Sequence, residues 1–167
     1  MSFTGRLLVA TPLILDPNFY HSVVYVYAYQ ESEGAAGVIV NRATDEPTTE
    51  HLPQWRSVLA APPTVFWGGP VAPDNGLVLV SDGEAVTPAD DLDPPPGGVK
   101  ARLFVGQSGW GPGQLEAEMD EGAWLVMDPE PSDVFPAFPD ILWPNLLRRI
   151  GGRAALWATH LADPTVN

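Results

Sequence analysis

Ser108 stands in Gly106-Gln107-Ser108-Gly109-Trp110, which differs at one position from the Gly-x-Ser-x-Gly turn that presents a catalytic serine. That turn needs its second glycine because neighbouring chains crowd a sharp strand-to-helix bend. Trp110 occupies the place instead. A serine nucleophile also requires a general base and an orienting carboxylate, and no spacing ties Ser108 to His21, His51 or His160. The segment therefore reads as a glycine corner around a buried tryptophan, with hydrolysis at Ser108 as the alternative.

Other residue groups invite similar readings. Gly68-Gly69-Pro70 has backbone N–H groups that suit an anion, but no phosphate-loop pattern accompanies it and proline lacks a donor, so a tight turn is expected. Glu116, Glu118, Asp120 and Glu121 fall on a short helix, where Glu116/Asp120 and Glu118/Glu121 are surface neighbours. Oxygen ligands so placed suit a divalent cation; the simpler reading is a solvated helix face. The histidines lack the H-x-H or H-E-x-x-H spacing of zinc sites. His21, after Asp16-Pro17-Asn18-Phe19-Tyr20, enters a strand from a loop, and Asn41-Arg42 leaves one, where Asn41 suits a local backbone hydrogen bond in a turn. No catalytic residue, metal ligand set or cofactor is assigned.

The elements that must position these groups are short. Leu7–Ala10 and Ser22–Tyr29 read as strands, the second sending Val24, Val26 and Ala28 to one face and Val23, Tyr25, Tyr27 and Tyr29 to the other. A turn over Gln30–Gly34 leads to a partner strand at Gly37–Val40. Leu52, Trp55, Val58 and Leu59 suggest a helix over Thr48–Leu59 capped by Thr48 or Thr49. Strands follow at Thr64–Trp67, Gly76–Ser81, Val99–Gly106 and Ala123–Asp128. The proline-rich stretch Asp82–Gly98 reads as a surface loop, mobile at its Pro94–Gly98 end. Helices are expected at Pro112–Glu121 and at Asp140–Ile150, the latter capped by Asp140 and stopped by Gly151-Gly152. This order lacks the regular alternation of a doubly wound sheet and points to an α+β domain.

Composition narrows the function. The 167 residues contain 21 acidic and 8 basic side chains, a formal net charge of -13. The cations are scattered except for Arg148, Arg149 and Arg153, which suit a helix C-terminus. A phosphate-binding face needs clustered Lys and Arg, so nucleic acid is disfavoured as a partner. There is no cysteine, which excludes disulfides and thiolate chemistry and fits a reducing cytoplasm. No apolar run is long enough to span a membrane, and the N-terminal apolar patch, cut by Asp16-Pro17, is not expected to act as a signal peptide.

Taken together, Gly5–Val26, Gly34–Arg42, Phe66–Val71 and Phe104–Trp124, with the weaker Asp140–Gly152, resemble the AlgH/YqgE family of small bacterial proteins over nearly the whole chain. The resemblance implies one domain spanning residues 1–167. It also implies a mixed sheet strongly bent into a partly closed barrel, with helices packed outside. The implied family has no established biochemical activity, and its name comes from a proposed role in transcriptional regulation of alginate production. Here Gln107 replaces a usual tyrosine, Ala43 a common proline, and Tyr20-His21 a more basic pair. The family's tolerance of alanine at the position of Ser108 argues against a nucleophile.

The expected protein is a cytoplasmic, non-enzymatic regulatory module that binds a protein or small ligand. Its binding surface is expected where four turns converge, on Asp16, Asn18, Phe19, His21, Asn41, Arg42, Gly68, Gly69, Ser108, Gly109 and Trp110. The alternatives are a hydrolase using Ser108 or the acidic helix, and a DNA-associated regulator.

Overall fold

β-Branched and aromatic side chains with two-residue periodicity build a sheet with both faces covered, and the chain curls it into a half-barrel. The computed structural model describes residues 2–91 and 97–159. Its strands are β1 (Leu7–Ala10), β2 (Val23–Gln30), β3 (Gly34–Ile39), β4 (Ala43–Pro47), β5 (Thr64–Trp67), β6 (Val71–Ser81), β7 (Val86–Pro88), β8 (Lys100–Trp110) and β9 (Trp124–Met127). The helices are α1 (Gln114–Asp120), α2 (Pro131–Val134), α3 (Leu142–Ile150) and α4 (Gly152–Trp157).

The sheet path is β4-β5-β8-β3-β2-β1-β9, with β6 also on β8 and β7 on β6. All pairings are antiparallel except β5 with β8. The long β8 makes the curl possible. Its first half lies between β5 and β6, and its second half, Ser108–Trp110, pairs with β3. Gly106, with φ of +73°, marks the change of partner.

One face of β1–β3 packs Leu7, Val9, Val23, Tyr25 and Val38 against Val134 of α2 and Trp143, Leu146 and Leu147 of α3. The opposite face packs Leu8, Val24, Val26 and Ile39 against Trp110, Trp124 and Leu115 of α1. A third cluster puts Leu52 and Trp55 over Val65, Val78 and Leu103. A register shift between Val26 and Ala28 carries Tyr29 to the Val24/Val26 side, against the strict alternation expected for that strand.

Several other boundaries differ from expectation. Thr48–Leu59 is not one α-helix but two 3-10 segments, Thr48–Glu50 and Pro53–Val58, with no side-chain cap. The expected glycine corner after Gly106 is strand as far as Trp110, and β6 begins at Val71. β4 was unforeseen, and β7 lies inside the stretch read as a loop. Asp140 does not cap α3; a 3-10 turn, Pro139–Ile141, precedes it, and α4 resumes directly after Gly151. Residues 92–96, within the stretch read as a surface loop, and His160 lie outside the described residues. Among the described residues, no helix is long and apolar enough to cross a membrane.

Candidate functional site

The loop before β2 and the end of β3 form one corner. The Asp16 carboxylate accepts from the Asn18 N–H at 2.8 Å and its carbonyl accepts from Phe19 and Tyr20, closing a tight turn. Phe19 points inward, 6.4 Å from Trp110 and 6.0 Å from Trp124 between ring centroids. His21 then adopts φ of +55°, a left-handed conformation that costs energy for a residue with a Cβ. Its ring is stacked between Tyr20 at 3.9 Å and Trp143 at 3.6 Å.

Asn41 locks this loop to the sheet. Its Oδ1 accepts from the Val23 N–H at 3.0 Å, and its Nδ2 donates to the His21 carbonyl at 3.0 Å. These bonds bridge distant segments, where the sequence suggested only a local turn. Arg42 donates to the carbonyls of Pro17 at 3.0 Å and Tyr20 at 2.8 Å, and its guanidinium lies 5.6 Å from the Trp67 ring centre. Burial lowers the Arg42 pKa, with the field of Asp16 acting the other way. No carboxylate among the described residues forms an ion pair with it.

Tyr20, His21, Asn41 and Arg42 line a cleft of about 230 Å³ whose other wall is Pro139, Asp140, Trp143, Pro144 and Ala158. The site-residue reading missed that second wall. Its only sequence signal was the Asp140–Gly152 stretch with Trp143 and Pro144 in a helical first turn.

The other expected surface residues lie elsewhere. Ser108 is fully buried, and its Oγ donates to the Gly68 carbonyl at 3.0 Å. A nucleophile must reach a substrate and a base; this hydroxyl reaches neither, which removes the serine-hydrolase alternative. Gly68, Gly69 and Gly106 belong to a close crossing of two backbones. A Cβ on Gly68 would lie 2.4 Å from the Gly106 carbonyl oxygen, and one on Gly106 would lie 2.2 Å from that of Gly69. Gly109 is exposed in β8, opposite Ala36. Trp110 is buried. The four turns are thus linked by contacts, Arg42 on Trp67 and Phe19 on Trp110, but only the His21 and Asn41-Arg42 turns open on the cleft.

The acidic helix is also not merely solvated. Glu118 Oε1 accepts from the indole N–H groups of Trp110 at 3.1 Å and Trp124 at 2.9 Å, while Oε2 accepts from Gln114 at 2.9 Å. Glu116 accepts from the Tyr29 hydroxyl at 3.1 Å. These carboxylates tie α1 to β2, β8 and β9, and no group of three or more acidic or histidine side chains among the described residues is arranged to hold a metal ion.

A curled α+β half-barrel, clamped where its glycine turns cross and flanked by a corner cleft, defines the class of protein. The chain belongs to the AlgH-like family, whose model matches residues 7–155. It is 42% identical to a UPF0301 protein of Thermobifida fusca, covering all of this chain and 96% of that one. It is also 42% identical to a UPF0301 protein of Streptomyces coelicolor, covering 99% and 96%. The fold matches a crystal structure from Corynebacterium diphtheriae with TM-score 0.83 at 24% identity, covering 95% and 93% of the two chains. The solution structure of the Pseudomonas aeruginosa AlgH protein matches with TM-score 0.68 at 27% identity, covering 95% and 94%. The family carries no established activity.

Proposed function

We propose that this chain is a non-enzymatic, cytoplasmic binding module that recognises a carboxylate, on a protein segment or small ligand, in the cleft between the His21 loop and α3. The observation that carries this reading is Arg42. Two carbonyls fix its guanidinium, burial strips part of its hydration, and no carboxylate among the described residues neutralises it by an ion pair. A pre-oriented guanidinium offers a planar fork of donors matched to a carboxylate. Asp140 on the opposite wall favours a singly charged group over a doubly charged phosphate. The stacked, strained His21 gives the site a rigid wall. A regulatory role then works through capture of a partner rather than turnover.

Other features support the same reading. The absence of cysteine suits a reducing compartment. Direct DNA binding is disfavoured because Arg102 is buried and Arg6 and Arg149 are ion-paired with Asp128 and Asp133, which leaves few cations for a phosphate-tracking surface.

Titration with acetate, a singly charged carboxylate, followed by the NMR resonances of the His21 and Trp143 rings, tests the proposal. Binding is expected to shift both rings and to weaken about tenfold in Arg42→Gln, the loss of one charge-assisted contact. Equal shifts in the variant, no shift at all, or tighter binding of inorganic phosphate would each overturn it.

A further inference from the structure

A second groove, roomier than this cleft, shares no lining residue with it. It encloses about 530 Å³ between the 3-10 segments and the outer face of β6, and its floor is Leu52, Leu77, Val78, Leu103 and Val105. Its rim carries Glu46, Asp74 and Asp90, from β4, from β6 and from the residues after β7, and no Lys or Arg lines it. Glu46 pairs with the exposed His51 at 2.9 Å. Asp74 and Asp90 are exposed, and no basic side chain among the described residues pairs with either.

The geometry points to a docking groove for a basic, apolar peptide segment of a partner protein, with aliphatic side chains on the floor and Lys or Arg side chains on the rim. Charge complementarity selects this occupant. Carboxylates on three separate segments surround one aliphatic floor, so a ligand with a single cation satisfies one of them, whereas cations spaced along a chain reach all three. Apolar floors with charged rims are the usual division of labour in protein recognition, the floor supplying affinity and the rim supplying orientation and rate. The field of a chain with net charge -13 steers a cationic segment toward the groove and repels an acidic one.

Three synthetic peptides of equal length test the inference by calorimetry and by chemical shifts of Leu77 and Leu103. One alternates Leu and Lys, one alternates Leu and Glu, and one alternates Ser and Lys. The Leu/Lys peptide is expected to bind, shift both leucines, and lose about tenfold in affinity on raising salt well above the physiological range. The double variant Asp74→Asn, Asp90→Asn removes two exposed charges and is expected to weaken it by roughly fivefold to tenfold, within the range for rim pairs. Absence of binding overturns the proposal, as does equal binding of the Leu/Glu peptide. Equal binding of the Ser/Lys peptide shows that the floor contributes nothing, and an unchanged affinity in the double variant shows the same of the rim; either result also overturns it. Because Arg42 does not line this groove, Arg42→Gln is expected to leave this affinity unchanged.

Discussion

Arg102 shows how one buried cation organises a region. It is 1% exposed, and its guanidinium donates to the carbonyls of Pro136 at 3.1 Å, Ala61 at 2.8 Å and Pro62 at 3.3 Å while lying 3.9 Å from the Phe66 ring centre. Desolvation pushes its pKa down to about 10. Burying a charge is costly unless hydrogen bonds replace its water, and here carbonyl dipoles from two loops do so, which makes Arg102 the staple between them. Arg102→Met is expected to lose about 3–5 kcal/mol, since the side chain's volume is kept but the carbonyls lose their donors. Arg102→Lys recovers little of this, because an ammonium lacks the fork that reaches both loops. Urea unfolding of the two variants checks this; a loss below about 1 kcal/mol would show that the carbonyls find water instead. The sequence offered Arg102 only as one of several scattered cations. Its partners lie 34 to 41 positions away, and no local pattern encodes such distant acceptors.

At the scale of elements, the glycine turns act as joints. Gly69 and Gly106 have φ of +147° and +73°, and a Cβ on Gly69 would meet the Gln107 carbonyl oxygen at 2.3 Å. Gly69→Ala and Gly106→Ala are therefore each expected to lose about 3 kcal/mol or more, because backbone must move in addition to the strain of φ. Gly113→Ala, at φ of +78° but with open space around it, is expected to lose only about 1 kcal/mol. Similar losses at all three sites, measured by thermal unfolding, would show that the crossing relaxes. The glycines flagged these joints in the sequence, but which backbone each one approaches was not legible. β1, β2 and β9 were legible because each is a short run rich in apolar and β-branched residues, although both faces are covered and the register shift in β2 breaks its alternation. β4, Ala-Thr-Asp-Glu-Pro, has no apolar periodicity and forms because β5 offers it an edge. Leu52, Trp55 and Val58 are three apart, which suits a 3-10 segment as well as an α-helix, and Pro53 at its start does not discriminate. The cleft was half legible for a related reason. Tyr20, His21, Asn41 and Arg42 stand at strand ends, where loops commonly carry function, whereas Trp143 reads as one more buried helix residue until its ring is seen stacked on His21.

For the whole molecule, two tyrosines on β2 close the curl. The Tyr25 hydroxyl donates to the Val86 carbonyl of β7 at 3.0 Å, and the Tyr27 hydroxyl donates to Gln107 Oε1 on β8. β2 is thereby joined to β8, past the intervening β3, and to β7, past β3, β8 and β6. Desolvation by burial raises the pKa of both phenols above the usual value of about 10. The sign of the consequence follows from proton counting. Above about pH 10 the unfolded chain releases its phenolic protons while the folded chain still holds them, so the unfolded state binds fewer protons and stability falls as pH rises. Below that pH both states are protonated and the contribution is fully present. The urea midpoint is therefore expected to be flat with respect to these groups up to about pH 9 and to decline above about pH 10, with tyrosinate absorbance appearing together with loss of structure. Tyr25→Phe should cost about 1 kcal/mol at neutral pH, because the Val86 carbonyl loses its donor, yet make the alkaline decline shallower. Ionisation of Tyr25 or Tyr27 near pH 10 in protein that stays folded, read as the tyrosinate absorbance lost in the matching Phe variant, would mean that these hydroxyls are open to water, and that the half-barrel is held by its glycine joints and core alone.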